Sequence, residues 1–88
     1  MFRDASITSL SGSSQTALAK NGNRQFLLIE NTGNANIGVN LTGGTAAIAG
    51  TGTITIVANG SLLLDHVIPQ NAITVIGTTG QPVCVIEG

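Results

Sequence analysis

The chain is poor in charge. Of its 88 residues three are basic and four are acidic, where an ordinary soluble domain is about one quarter charged. Its formal net charge is −1 and no run of like charge occurs. Non-specific attraction to nucleic acid or to an anionic membrane therefore has no electrostatic basis. Trp and Tyr are absent and only Phe2 and Phe26 are aromatic. That removes the stacking platforms of single-strand nucleic-acid binders and disfavours carbohydrate recognition through flat aromatic faces. With one His and one Cys, an intrachain disulfide is impossible and the usual nitrogen and sulfur ligand sets for a metal are out of reach. No apolar run approaches a membrane span. The opening Met1-Phe2-Arg3-Asp4-Ala5-Ser6 has no apolar core of a secretory signal, so synthesis in the cytosol is expected.

What is present is the vocabulary of strands and turns: Val, Ile, Leu, Thr, Ser, Asn and twelve Gly. No segment holds a 3.6-residue apolar period over three turns, which nearly excludes helices. Short apolar runs and alternating stretches recur instead, separated by Gly/Asn/Ser/Thr clusters, the spacing of a sandwich or barrel. Eight strands are expected: 5–10, 15–19, 24–31, 37–41, 53–57, 61–64, 72–77 and 83–87. Asn21-Gly22 and Asn59-Gly60 carry hairpin signals, because both residue types tolerate positive φ. Residues 42–52, rich in Gly, Ala and Thr, read as a long loop or a weak edge strand. The expected fold is all-β: a small antiparallel sandwich, jelly-roll-like, of about eight strands. Residues 1–14 form an N-terminal arm with a possible first strand, and residues 15–88 form the sandwich domain.

Phe26-Leu27-Leu28-Ile29, Leu62-Leu63-Leu64, Val75-Ile76 and Val83-Cys84-Val85-Ile86 are apolar on both faces of their strands. A domain this small has one core and little chain left to cover a second apolar face. A neighbouring subunit is the economical cover. The partner expected first is therefore a second copy of the chain, in a homo-oligomer.

Few residues carry chemistry. Cys84 sits in an apolar run, where a free Cys behaves as a small hydrophobe, and nothing around His66 marks it as its base. Asp65-His66 point to opposite faces if extended, which argues against a shared metal. Gly43-Gly44-Thr45 and Gly50-Thr51-Gly52 lack the Lys and the helix of a phosphate loop. No catalytic, cofactor-binding or metal-binding residue is assigned, no cofactor is expected, and an enzyme is not expected. Candidate partner contacts are Phe2, Arg3 and Asp4 on the arm, with Arg24 and Glu30 six residues apart on one face of the third strand.

Arg24-Gln25-Phe26-Leu27-Leu28-Ile29-Glu30-Asn31, Ile37-Gly38-Val39-Asn40, Gly60-Ser61-Leu62, Ile68-Pro69, Ala72-Ile73-Thr74-Val75-Ile76-Gly77-Thr78 and the closing Glu87-Gly88 together resemble small virion proteins of tailed bacteriophages, of the capsid decoration (cement) kind. The resemblance covers about the last three quarters of the chain and leaves out the first 23 residues. It implies a β-sandwich, often trimeric, bound to the major capsid protein on the outside of the head, in a virion assembled in the bacterial cytoplasm. It carries over no site residue. A tail, baseplate or fibre-associated subunit is the nearest alternative, and a sugar- or receptor-binding module is the alternative of another class.

Overall fold

A computed structural model describes all 88 residues, Met1–Gly88, as eight strands without a helix. They are β1 (Arg3–Asp4), β2 (Gln15–Leu18), β3 (Leu27–Glu30), β4 (Ile37–Asn40), β5 (Thr53–Ile56), β6 (Ser61–Leu64), β7 (Ile73–Ile76) and β8 (Cys84–Glu87). They form two four-stranded antiparallel sheets in the orders β1-β8-β3-β6 and β2-β7-β4-β5. Neither sheet closes on itself, so each keeps two open edges.

The period-2 alternation explains how the sheets meet. Leu27 and Ile29 of β3 and Val85 of β8 point inward from one sheet. Leu18, Ile37, Val39, Ile56, Ile73 and Val75 point inward from the other, and all belong to a single buried cluster with Leu10 and Val83. Burying a side chain of this size is worth about 1.5–3 kcal/mol, so this shared core is what holds the sheets together.

Only β4 and β5 are consecutive in the chain and paired with each other; every other connection crosses between sheets. The two expected hairpins are therefore corrected. Asn21-Gly22 and Asn59-Gly60 both form turns, yet each turn passes the chain from one sheet to the other. At the first turn neither residue takes a positive φ. The Asn21 side chain instead accepts from the Asn23 amide, and its carbonyl accepts from the Arg24 amide. Asn59 does take φ +65°, and the Gly60 amide closes the turn on Val57 O. Residues 42–52 form a loop that folds back over the outer face of the second sheet. There Thr74 Oγ1 donates to Gly44 O and Asn40 Nδ2 to Thr45 O.

The first strand is also displaced. Residues 5–10 were expected to form it, and the ladder proper is Arg3–Asp4. The following residues still track β8: the Ala5 amide donates to Val85 O, Ile7 bridges Val83, and the Leu10 amide donates to Gln81 O. Regular pairing stops because Ser6 Oγ, a side chain, accepts the Val85 amide in place of a backbone carbonyl. Leu10 at the end of this stretch is fully buried. The arm is thus fastened along its own domain.

Candidate functional site

Three features stand apart from the core: a charged cluster where the chain ends meet, an apolar outer face on the first sheet, and a polar cleft at the opposite end of the molecule.

The charged cluster corrects the expectation for Arg24. It does not sit on β3 sharing a face with Glu30. The amides of Gln25 and Phe26 both donate to Gly88 O, so two residues oppose one and the alternation slips. Arg24 therefore turns inward and is 1% exposed. Its Nε donates to Glu87 Oε1 at 2.9 Å, Nη1 to Pro69 O at 2.6 Å and Asn71 O at 3.0 Å, and Nη2 to Ala19 O at 2.8 Å. Arg3 Nη1 reaches Glu87 Oε2 at 2.7 Å, and Asn21 Nδ2 reaches Oε1 at 3.3 Å. Burial pushes the Glu87 carboxyl up, but the hydrogen bonds from Arg24, Arg3 and Asn21 outweigh it and hold the carboxyl below its ordinary range. The cluster fastens four segments around one carboxylate; all three guanidinium nitrogens of Arg24 find partners within the chain, while the Arg3 side chain keeps unpaired donors at the surface. Its role is structural.

The other candidate contacts divide by face. The register places Asp4, Ile86, Leu28 and Leu63 in one row across the outer face of the first sheet, and Cys84, Glu30 and Ser61 in the next. Reciprocal bonds between Phe26 and Gly88 extend the ladder by one pair. Phe2 lies over Gly88 and packs on Phe26, ring centroids 4.8 Å apart. Phe2, Asp4 and Glu30 thus lie on this outer face, while Arg3 turns toward Glu87. Phe2 is 67% and Leu63 53% exposed, and Leu28, Cys84 and Ile86 are half-buried. The Ser6 hydroxyl and amide hold the Asp4 carboxyl below its ordinary range. Composition alone named the doubly apolar strands; register was needed to join them into one surface.

The polar cleft went unnoticed in the sequence. It lies between the β3–β4, β5–β6 and β7–β8 loops, has a volume of about 700 Å³, and is lined by Thr32, Asn34, Asn59, Thr78 and Gln81 among others. Its floor is a buried amide pair. Asn31 Nδ2 donates to Ala35 O and Ile56 O, and Asn31 Oδ1 accepts from the Gly33 amide and from Gln81 Nε2. Gln81 Nε2 also donates to Ala35 O. The backbone of Asn31 exchanges bonds with Gly60 and Asn59. Two buried side chains thereby fix all three loops. Gln81 lies so close over Gly33 that any Cβ there would collide with it. Gln81 Oε1 is the one buried side-chain polar atom without a hydrogen-bond partner. The signal available in the sequence was the turn-rich spacing of Asn31, Gly33 and Gln81, which does not disclose that the three meet.

Cys84 and His66 do not come together. Cys84 is level with Glu30 and Ser61, while His66 follows Leu64 beyond the other end of the sheet. No group of three or more His, Cys, Asp or Glu side chains is placed to hold a metal ion. No helix is long and apolar enough to cross a membrane. Compared with known proteins, the chain matches no family model, no curated protein and no solved structure.

Proposed function

We propose that the chain is a structural subunit of a phage particle, a decoration protein that binds the outside of the head and bridges neighbouring capsid subunits. The observation that carries this reading is the apolar row on the outer face of the first sheet, from the Phe2–Phe26 pair through Ile86 and Leu28 to Leu63. A continuous apolar surface of this kind marks an interaction site. The contrast with the second sheet is internal to the molecule. There Thr16, Thr74, Asn40 and Thr53 align across the outer face, and the 42–52 loop bonds over Thr74, Asn40 and Thr53 while Thr16 stays exposed.

The fold proposed is a jelly roll. β1 pairs with β8, β2 with β7, β3 with β6 and β4 with β5. Those are the pairs of one long antiparallel ribbon closed at the β4–β5 connection, and β3–β8 and β4–β7 are the seams formed when it winds round a shared core. Viral capsid and lectin domains both use this architecture, so the docking face rather than the fold carries the functional reading.

A decoration protein that binds the assembled lattice better than free capsid subunits stabilises the shell by linkage. A trimer joined through these faces presents its remaining surface to several capsid subunits at once, and modest contacts then suffice. Gold-labelled antibody against the chain, applied to particles of the encoding phage and viewed by electron microscopy, tests this. Label over the heads is expected. Label on tails would move the protein to the tail or baseplate, and unlabelled particles would overturn the virion reading.

A further inference from the structure

We propose that the cleft between the β3–β4, β5–β6 and β7–β8 loops binds a neutral carbohydrate through side-chain hydroxyls and amides, without an aromatic platform. The inference is independent of where the protein sits in a particle.

The first support is unspent hydrogen-bonding capacity. Thr32, Asn34, Asn59 and Thr78 are exposed on the cleft. Around them Asn31, Gln81 and Thr79 spend their side-chain donors within the chain. These four do not. Two hydroxyls and two carboxamides supply donors and acceptors in mixed order, which is what the vicinal hydroxyls of a sugar ring require.

The second support is charge. No Asp, Glu, Lys or Arg lines the cleft. A phosphate, carboxylate or ammonium ligand would find no charged partner there and would forgo the stronger charge-assisted bonds. A neutral ligand loses nothing by this.

The third support is rigidity. Sites held by locked supporting residues bind with less ordering cost. The Asn31–Gln81 pair fixes all three loops from beneath, and Gly33 is kept free of a side chain so that Gln81 can lie across it. A volume of about 700 Å³ accommodates a small ligand. An extended peptide suits the cleft less well, because one hydrophobic residue lines it and strand-type recognition uses pockets for alternate side chains.

With no ring to stack on, affinity at one site is expected to be millimolar. Isotope-labelled full-length protein is titrated with the methyl glycosides of glucose, galactose and mannose while amide chemical shifts are followed. The proposal expects at least one glycoside to give saturable shifts at Thr32–Asn34, Asn59–Gly60 and Thr78–Gln81. Thr78→Val and Asn34→Ala, both exposed and outside the amide floor, should each weaken binding about tenfold with an unchanged melting temperature. Shifts that never saturate or that map elsewhere would overturn the proposal. So would undiminished binding by the double variant. Tighter saturation of the same amides by glucuronate, or by an uncharged blocked tetrapeptide, would replace the neutral sugar with an anionic or a peptide ligand.

Discussion

Arg24 shows how one residue can join distant parts of a small β-domain. Its guanidinium satisfies Glu87 and three carbonyls contributed by two separate loops. Replacing both members of a buried ion pair by well-packed apolar groups is often neutral, but removing one strands the other in a dry site. Arg24→Ala is therefore expected to cost about 3–5 kcal/mol in denaturant unfolding, and Arg24→Lys to recover little of it, because an ammonium cannot reproduce the planar fork. A cost near zero would show that the cluster is ornamental. Glu87 adds a pH dependence of definite sign. Its carboxyl binds its proton more weakly in the folded chain than in the unfolded one, where the ordinary value is 4.5. The unfolded state thus takes up more protons in this range, and stability falls as pH drops from above 4.5 through the lower folded value. Melting curves of the native protein and of Glu87→Gln should lie well apart at neutral pH and draw together in acid. A gap that is constant with pH would contradict the assignment.

Among the elements, the sheet edges are treated unequally. β1 is two residues long and charged, and β2 shifts register between Thr16 and Leu18; both are recognised ways of keeping an edge from pairing with another chain. β5 and β6 have neither protection. They read Thr-Ile-Thr-Ile and Ser-Leu-Leu-Leu, and they leave Ile54 and Leu63 exposed. A charge placed there should act on association rather than on the fold. Leu63→Lys is expected to change unfolding free energy by about 1 kcal/mol or less and to reduce self-association in sedimentation. A large loss of stability with association intact would place Leu63 in the core economy instead. Seven of the eight strands were legible from alternation and turn residues, because each carries its own apolar signal. The first was not. Ala5, Ile7 and Leu10 show the alternation of a strand, but Ser6 takes the Val85 amide with its side chain and breaks the ladder, an event set by a residue far away in sequence. Arg24 was misplaced for a related reason: the bulge that turns it inward depends on Gly88. The polar cleft was illegible because its floor joins Asn31 and Gln81, 50 residues apart. The doubly apolar runs carried a legible signal of a second apolar face, but register was needed to join three of them on the first sheet and to place Ile76 on the second.

For the whole molecule, a single core of eleven buried side chains coexists with an apolar row that the chain leaves on its outside. Small domains that bury a limited fraction of their surface commonly gain stability from oligomerisation. The cleft lies at the end of the molecule away from Gly88 and the charged cluster, so partners on the sheet face leave it open. The outer face of the first sheet is proposed as a contact surface between subunits. That role is tested most directly by sedimentation equilibrium of the full chain at micromolar concentration, beside a Leu28→Asp variant. The native protein is expected to sediment at about three times the 8.8 kDa of one chain, and the variant as a monomer. A folded native protein that sediments as an 8.8 kDa monomer across the concentration range would contradict it.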